Sequence, residues 1–403
     1  MNARVTVRTT PRWLRALGFI GVAVAGLAVI AGGAMAVVVV VFARTVVTPP
    51  RVRKDDVAIL GTESIIVAGE HEPVRAIVLR ATADTVLDGR YGLWFSGQSG
   101  HARVGEILSR GQTTVTRRLL QRDFGELNRA EGGRWSGWYY LGPWEFGLPF
   151  ENVTIPTPLG PAPAWWVPAS GDSTRWVIQV HGRAVRRQEC LRAVPVFHEA
   201  GMHSLLVSYR NDGEAPESRD GRYGLGDTEW QDVAAAMRFA REHGATEIVL
   251  MGWSMGGAIV MQAALRAEDR DLVSGIVLES PAVDWSDILH FQGTGYGLPA
   301  AVNGAVISTI GSRWGRVITG LEQAIDFPRL DMAVRAEILE LPILLMHSDD
   351  DGYVPITGSR ALAAARPDIV TFEEFTVARH TKLWNYDPER WNGTIRRWLS
   401  ARA

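Results

Sequence analysis

The sequence predicts an α/β protein in which a mostly parallel sheet lies between layers of helices. From Trp176 onwards, short apolar runs alternate with helical stretches; the runs are WVIQV, SLLVSY, EIVLMGW, GIVLES, ILLMH and VTFEEF. This alternation is typical of parallel strands joined by crossover helices. Two further regions precede them, a long apolar segment near the N-terminus and a β-rich stretch after it.

Size and composition exclude several classes of protein. The chain has 403 residues, enough for one large catalytic domain with an accessory region. Its net charge is -2, and it has no basic stripe, so we expect no nucleic-acid partner. Cys190 is the single cysteine, which excludes an intramolecular disulfide and a cysteine-based zinc site. We expect a structural role for Cys190 and neither a metal nor an organic cofactor.

The N-terminal segment has the composition of a membrane anchor. Residues 1–15 are basic, and residues 16–43 carry no charge. This uncharged run is longer than the roughly 20 residues that a membrane span requires. A cleaved signal peptide is the alternative, but five valines after Ala36 extend the apolar run beyond a signal sequence. The arginines before the span favour an N-terminus inside the cell. We therefore predict a single-pass cell-membrane protein with an extracytoplasmic catalytic domain.

The next segments are a linker and an accessory region. Residues 44–56 contain Pro49-Pro50 and are predicted to be the linker. Residues 57–168 hold short runs such as SIIVAG and YGLWFSG between Gly and Pro, which indicate antiparallel strands. The tryptophans at the end of this region could form a sugar- or peptide-binding face, but an aromatic core is the preferred interpretation.

Residues 169–403 form the predicted catalytic domain. Thr228 and Gln231 fit a capping box at the start of one helix, and Asp387-Pro388 fit the start of the last. Residues 283–341, between the fourth and fifth runs, are predicted to be a helical lid over the site.

Ser254 is the predicted nucleophile. It lies in GWSMGG, after the strand EIVLM and before the helix AIVMQAALRA. A G-x-S-x-G motif between a strand and a helix forms a nucleophile elbow, in which the glycines permit a tight turn that exposes the serine hydroxyl. The dipole of the following helix favours negative charge near its N-terminus. This context distinguishes the motif from a chance match.

A nucleophilic serine needs a base, and the base needs a carboxylate. With such an elbow the partners follow in the order serine, acid, histidine. The loop after ILLMH holds Asp349, Asp350 and Asp351, any of which could be the acid. A metal site is less consistent with three consecutive positions, because their side chains point in different directions. His380 follows VTFEEF and is the predicted base.

The reaction also requires two backbone N–H groups that bind the negatively charged oxygen of the intermediate, the oxyanion. The amide of Met255 directly follows the nucleophile and is one predicted donor. The loop after WVIQV begins His181-Gly182-Arg183, so the amide of Arg183 is the second. His181 itself is expected to shape this turn.

Several of these stretches, in this order, resemble α/β-hydrolases: HGR, SYRNDGEAP, YGLGDTEWQDV, GWSMGG, DDDGYVP and ARHTKLWN. From Trp176 to the C-terminus the chain is most similar to prolyl-oligopeptidase-like and BEM46-like serine hydrolases. The resemblance implies an α/β-hydrolase fold and an acid three residues before the valine of a D-x-x-V-P motif, which is Asp351. Arg183 and Arg379 depart from the family pattern at positions where smaller residues are common.

The expected activity is acyl transfer through an acyl-enzyme on Ser254, with water resolving the intermediate. A carboxylic ester or thioester, small or lipid-like, is the favoured substrate. A peptidase, an acyltransferase on envelope lipids and a catalytically silent membrane-tethered binding protein are the alternatives.

Overall fold

The computed structural model describes residues 32–50 and 54–402. Within residues 54–402 the strands form a closed antiparallel barrel and one larger sheet. The barrel has the strand order β1-β2-β5-β4-β3-β6. Its strands are β1 (Val57–Ile65), β2 (Val74–Arg80), β3 (Tyr91–Phe95), β4 (Gly100–Arg110), β5 (Thr114–Phe124) and β6 (Gly132–Ser136).

The larger sheet has eight strands within the described residues, in the order β14-β13-β12-β11-β9-β10-β8-β7. From β10 to β14 neighbouring strands run parallel, whereas β7 and β8 are antiparallel at one edge. The strands are β7 (Glu151–Thr157), β8 (Gly160–Val167), β9 (Arg175–Val180), β10 (His203–Val207), β11 (Glu247–Trp253), β12 (Val273–Glu279), β13 (Ile343–Ser348) and β14 (Val370–Phe375). The central strands are buried on both faces, which explains their unbroken apolar runs.

Helices cover both faces of this sheet. The first, α1, covers residues 32–47. The others are α2 (Val194–Glu199), α3 (Trp230–Glu242), α4 (Met255–Arg266), α5 (Trp285–Gly295), α6 (Ala300–Gly311), α7 (Gly315–Thr319), α8 (Phe327–Leu330), α9 (Thr357–Ala365), α10 (Leu383–Tyr386) and α11 (Pro388–Ser400). Short 3₁₀ helices occupy Leu127–Arg129, Pro143–Phe146, Arg187–Ala193, Glu268–Leu272 and Ala336–Ile338. Helices α5 to α8 lie in the segment predicted to be the lid.

The C-terminal turns of α1 pack on the catalytic domain. Ala43 and Val47 are fully buried in its core, and the Tyr223 amide donates to the Val47 carbonyl at 2.8 Å. The predicted linker therefore differs from the structure, since its first residues continue a packed helix. Within residues 32–50 and 54–402, every helix falls short of the length or the apolarity that a membrane span requires. Residues 16–31 of the predicted anchor lie outside the described residues.

Two expectations about element boundaries differ from the structure. The predicted accessory region ends at residue 168, but β7 and β8 already belong to the larger sheet because β8 pairs with β10. The predicted capping box is wrong: Glu229 is the N-cap of α3, and no side chain caps it. The start of α11 is confirmed, because the Asp387 side chain accepts from the Arg390 amide at 3.0 Å.

Candidate active site

Ser254 lies on a strained turn between β11 and α4. Its backbone has φ 51° and ψ -118°, a combination that costs energy in a residue other than glycine. The turn requires the glycines around it. A Cβ at Gly252 would lie 2.4 Å from the carbonyl oxygen of Gly256, and a Cβ at Gly256 would lie 2.1 Å from that of Val180. The motif therefore forms the sharp elbow that the sequence predicts.

The structure brings the three predicted side chains together. His380 Nε2 lies 3.1 Å from Ser254 Oγ, and His380 Nδ1 lies 2.7 Å from Asp351 Oδ2. Both distances are within hydrogen-bonding range. Since a carboxylate can only accept, Nδ1 carries a proton and Nε2 faces the serine hydroxyl as an acceptor.

Asp351 is held as an anion by several donors. Its Oδ1 accepts from the amides of Tyr353 and Val354, both at 2.8 Å. Burial by itself raises the pKa of Asp351, but the electrostatic interaction with His380 and the hydrogen bonds from His347 and His380 outweigh it and hold the pKa well below its usual range. The carboxylate is thus ionised when it orients His380.

His347 is a site residue that the sequence analysis did not single out. It is fully buried at the end of β13, and its Nε2 lies 3.1 Å from Asp351 Oδ2 and 3.2 Å from the Val354 carbonyl oxygen. Both partners are acceptors, so Nε2 donates to them. Nδ1 lies 2.7 Å from Ser359 Oγ. The signal available in the sequence was its position near the end of the strand that leads into the acid loop, four residues before Asp351.

The other two aspartates of the acid loop have different partners. Asp349 is exposed and pairs with Arg360 at 2.6 Å. Asp350 accepts from the Arg379 amide at 2.8 Å. Arg379 has φ 60°, in the left-handed region where glycine is free of strain, which accounts for the departure noted in the sequence. Among the described residues, no cluster of three His, Cys, Asp or Glu side chains could hold a metal ion.

Glu279 connects the elbow to the C-terminal helices. This buried carboxylate accepts from the indole nitrogens of Trp253 at 2.8 Å and Trp391 at 2.9 Å. Burial raises its pKa above the usual range, whereas the positive charge of Arg192 and these donors lower it. The backbone carbonyl of Glu279 also accepts from the Ser254 amide at 3.0 Å. Glu279 therefore holds the strand beneath the nucleophile in place.

The two residues predicted to supply the oxyanion donors lie beside Ser254. Met255 is the first residue of α4, where helix geometry leaves the amide without an intrahelical acceptor. A Cβ at Gly182 would lie 3.2 Å from Ser254 Cβ, so the loop carrying Arg183 adjoins the serine. No residue of the described chain accepts a hydrogen bond from the Arg183 amide.

The Arg183 side chain binds the C-terminal end of α1. Its Nε donates to the Val46 carbonyl at 3.1 Å, and its Nη2 donates to those of Thr45 at 2.8 Å and Thr48 at 3.2 Å. An arginine at the C-terminal carbonyls of a helix also interacts favourably with the helix dipole. Arg183 therefore fixes α1 against the site, and it also lines the cavity that opens at Ser254.

A cavity of about 300 Å³ opens at Ser254. Its walls come mainly from α5, from the acid loop and from α1, and most of its lining side chains are apolar. Trp285, Ile288 and Leu289 form the α5 wall, and Phe42 and Val46 the α1 wall. The size is at the lower end of the range for small-molecule pockets.

Two residues set aside by the sequence analysis occupy structural positions. Cys190 is fully buried, and burial raises the pKa of its thiol well above the usual range. His181 is buried against Asp212, with Nε2 and Oδ2 3.2 Å apart, and its ring stacks on Tyr209.

The sheet order, the elbow and the position of the site at the carboxyl ends of the strands are those of an α/β-hydrolase. The profile of the family Hydrolase_4, described as serine aminopeptidase S33, matches residues 171–311. A domain of unknown function, DUF8805, matches residues 66–136, which cover most of the barrel. No curated protein sequence matches the chain.

Solved structures support the same fold. The esterase Pf2001 of Pyrococcus furiosus has a TM-score of 0.51 at 16% identity, with 65% of this chain and 95% of that chain covered. A second crystal form of the same esterase has a TM-score of 0.50 at 17% identity, with 65% and 96% covered. At such identities the likeness shows the fold, and the chemistry must be argued from this chain's own residues.

Proposed function

We propose that the protein is a serine hydrolase that cleaves carboxylic esters or thioesters through an acyl-enzyme. The observation that carries this proposal is the chain of hydrogen bonds from Ser254 through His380 to Asp351. His380 takes the serine proton as Oγ attacks the acyl carbon, and Asp351 stabilises the imidazolium that forms. The amides of Met255 and Arg183 hold the oxyanion.

The second half of the reaction uses the same groups. His380 first gives its proton to the leaving oxygen or sulfur, which departs as an alcohol or thiol. It then takes a proton from water, which attacks the acyl carbon, and returns that proton to Ser254 as the acid is released. No group beyond these side chains and water is needed to balance the reaction.

The character of the cavity favours an acyl chain over a peptide. An aminopeptidase needs an anion to bind the substrate's α-ammonium group, and no described residue lining the cavity is acidic. The neighbouring aspartates are already engaged, Asp349 by Arg360 and Asp350 by Arg379. The matching family profile is that of a serine aminopeptidase, so peptide hydrolysis is the second candidate.

Labelling with a fluorophosphonate tests the proposal. The full chain should become labelled at Ser254, and Ser254→Ala and His380→Ala should lose labelling and turnover. A folded wild-type protein that stays unlabelled would support a binding protein instead. Short-chain and long-chain p-nitrophenyl esters compared with aminoacyl p-nitroanilides then separate the two enzyme classes. Faster cleavage of the anilides would favour the peptidase.

We also propose that the uncharged segment that begins at residue 16 anchors the chain in the cell membrane with the catalytic domain outside. The predicted boundary of this anchor at residue 43 is corrected, because Ala43 is fully buried in the core of the catalytic domain. The uncharged run in the sequence supports this proposal, as does the apolar exposed surface of α1, which includes Val37 and Val41. Resistance of the protein to carbonate extraction, with cleavage of the catalytic domain by external protease on intact spheroplasts, is the expected result. Release by carbonate would contradict the anchor.

A further inference from the structure

Exposed apolar side chains cluster near α1 in two other segments. In the lid, the loop and helix after α6 expose Trp314 and Val317, the latter 87% accessible, and Tyr296 at the end of α5 is 73% accessible. On α1 itself Val37 and Val41 are exposed. Large apolar side chains at such exposures are costly in water when they are grouped, and grouped ones mark interaction surfaces.

Contacts join these segments into one surface, which we call the apolar collar (α1, Tyr296 and residues 313–318). The rings of Phe42 and Tyr296 meet edge to face, with centroids 5.5 Å apart. Arg44 Nε donates to the carbonyl of Ile318 at 2.6 Å. The collar therefore surrounds the end of α1 that packs on the catalytic domain.

The collar is basic. Arg313 and Arg316 are exposed and alternate with Trp314 and Val317 in the sequence RWGRV. Within the described residues neither guanidinium forms an ion pair, and residues 298–321 contain no Asp or Glu. Arginine beside tryptophan and aliphatic side chains matches the interface of an anionic bilayer, where indole lies at the headgroup level.

Part of the collar also lines the cavity at Ser254. Phe42 and Val46 of α1, together with Tyr296, line the cavity that opens at Ser254. In the sequence, α1 is preceded by the rest of the uncharged run that begins at residue 16. A helix that enters a bilayer from this position would bring the collar and the mouth of the cavity to the headgroup region.

We propose that the collar lies on an anionic lipid bilayer and that the substrate is an acyl lipid, which enters the cavity from that bilayer between α1 and α5. The proposal rests on the hydrolase activity argued above and adds the substrate class and its route. The acyl chain occupies the apolar cavity between Trp285 and Phe42, and the ester carbonyl reaches Ser254.

A fluorescent probe on the collar tests the contact. Val317→Cys in the full chain, labelled with an NBD maleimide, should be quenched by nitroxide lipids in phosphatidylcholine vesicles that contain phosphatidylglycerol. Cys190 is buried, so the introduced thiol takes the label. The matched control is Val334→Cys, because Val334 is an exposed valine of the same insertion. Val334 lies two residues before Ala336, and the Ala336 carbonyl accepts from Arg366 near the start of β14. That end of the strands is opposite the site, so its probe should stay unquenched. Equal quenching at both positions would overturn the proposal.

Turnover on two substrates tests the route. Arg313→Gln with Arg316→Gln should lower hydrolysis of a long-chain ester in phosphatidylglycerol vesicles by about 25-fold, because each arginine near an anionic surface contributes roughly a fivefold change in affinity. Hydrolysis of a soluble short-chain ester should be unchanged, which also shows that the variant is folded. Equal effects on both substrates, or none on either, would overturn the bilayer route. Absence of any turnover in the wild type would instead refute the proposed function.

Discussion

At the scale of single residues, the partners of Asp351 decide how His380 is oriented. Two histidines share the carboxylate oxygen Oδ2, His380 at 2.7 Å and His347 at 3.1 Å. His347 touches neither the serine nor the cavity, so it is a positioning residue. It fixes the rotation of the carboxylate, and through it the plane of the His380 ring.

We expect His347→Leu to lower kcat by about ten- to a hundredfold with little change in KM, since small misplacements of a catalytic group have effects of this size. Steady-state kinetics on a soluble ester measures both constants. His347→Gln retains an N–H donor and should recover much of the loss. If the leucine and glutamine variants were equally impaired, the hydrogen bond would not be the cause.

The lowered pKa of Asp351 predicts how stability depends on pH. Because the folded pKa lies below the unfolded value of 3.8, the ionised carboxylate stabilises the fold fully above that value and progressively less as the pH falls below it. The difference in unfolding free energy between wild type and Asp351→Asn should therefore be constant at neutral pH and shrink below about pH 4. Urea unfolding at pH 7, 5 and 3.5 measures this difference. A constant difference for Asp351→Asn across this range would contradict the assignment.

The sequence predicted which residues meet at the site but not how each is held. The elbow motif and the required chain order located Ser254 and His380, and the resemblance selected Asp351 from three neighbouring aspartates. His347 and Glu279 were missed because their roles depend on burial and on partners distant in the sequence, such as Trp391. The one local sign of Glu279 and of His347 in the sequence was a polar residue at the end of an apolar strand.

At the scale of elements, the close packing of β9, β11 and α4 depends on glycines. The carbonyl oxygen of Val180, at the end of β9, lies 2.1 Å from the position that a Cβ of Gly256 would take. The elbow is thus a three-way contact between two strands and a helix, with no space for a methyl group.

Gly256→Ala should lower the free energy of unfolding by about 3 kcal/mol or more, since a backbone atom at 2.1 Å cannot move aside without shifting a strand. Gly304→Ala is the matched control, because it is also a helical glycine but has no atom within 4 Å of the added methyl. It should be neutral or stabilising by up to about 1 kcal/mol. Chemical denaturation measures both, and equal effects would contradict the packing argument.

The sequence predicted the boundary of a helix correctly where the capping residue and the pattern of buried side chains indicated the same start. The proline and aspartate at the start of α11 predicted its first turn, and Trp391 and Ile395 lie buried as the apolar spacing indicates. The predicted capping box at α3 is absent. The carboxylate of Glu229, the residue before α3, instead accepts hydrogen bonds from the backbone amides of Gly224 at 2.7 Å and Gly226 at 2.9 Å. That tertiary demand is invisible in a local pattern.

At the scale of the whole molecule, the barrel docks on the segment that follows His380. Asn385 is fully buried at this interface and donates to the carbonyls of Arg90 at 2.9 Å and Gly137 at 3.1 Å. Lys382 pairs with Asp84 of the barrel at 3.1 Å. The barrel therefore supports the loop that holds His380. The sequence predicted a β-rich region but not this contact, which joins positions almost 300 residues apart.

Asn385→Ala should cost about 2 to 4 kcal/mol, because it removes buried hydrogen bonds, leaves the carbonyls of Arg90 and Gly137 without this donor and deprives Arg192 of one of its acceptors. It should also lower kcat, since the His380 loop loses its support. Urea unfolding and steady-state kinetics measure the two effects. Asn128→Ala, at an exposed position of the barrel, should stay within about 0.5 kcal/mol of the wild type. A variant as stable and active as the wild type would contradict a supporting role for the barrel.

The most direct test of the proposed chemistry is to trap the acyl-enzyme. The full chain is mixed with a p-nitrophenyl ester, quenched in acid within the first turnovers, digested and mapped by mass spectrometry. The acyl mass should appear on the peptide that contains Ser254, with a burst of close to one p-nitrophenolate per protein, and both should vanish in Ser254→Ala. Turnover with no adduct on Ser254, or unchanged turnover in Ser254→Ala, would contradict nucleophilic catalysis by this serine.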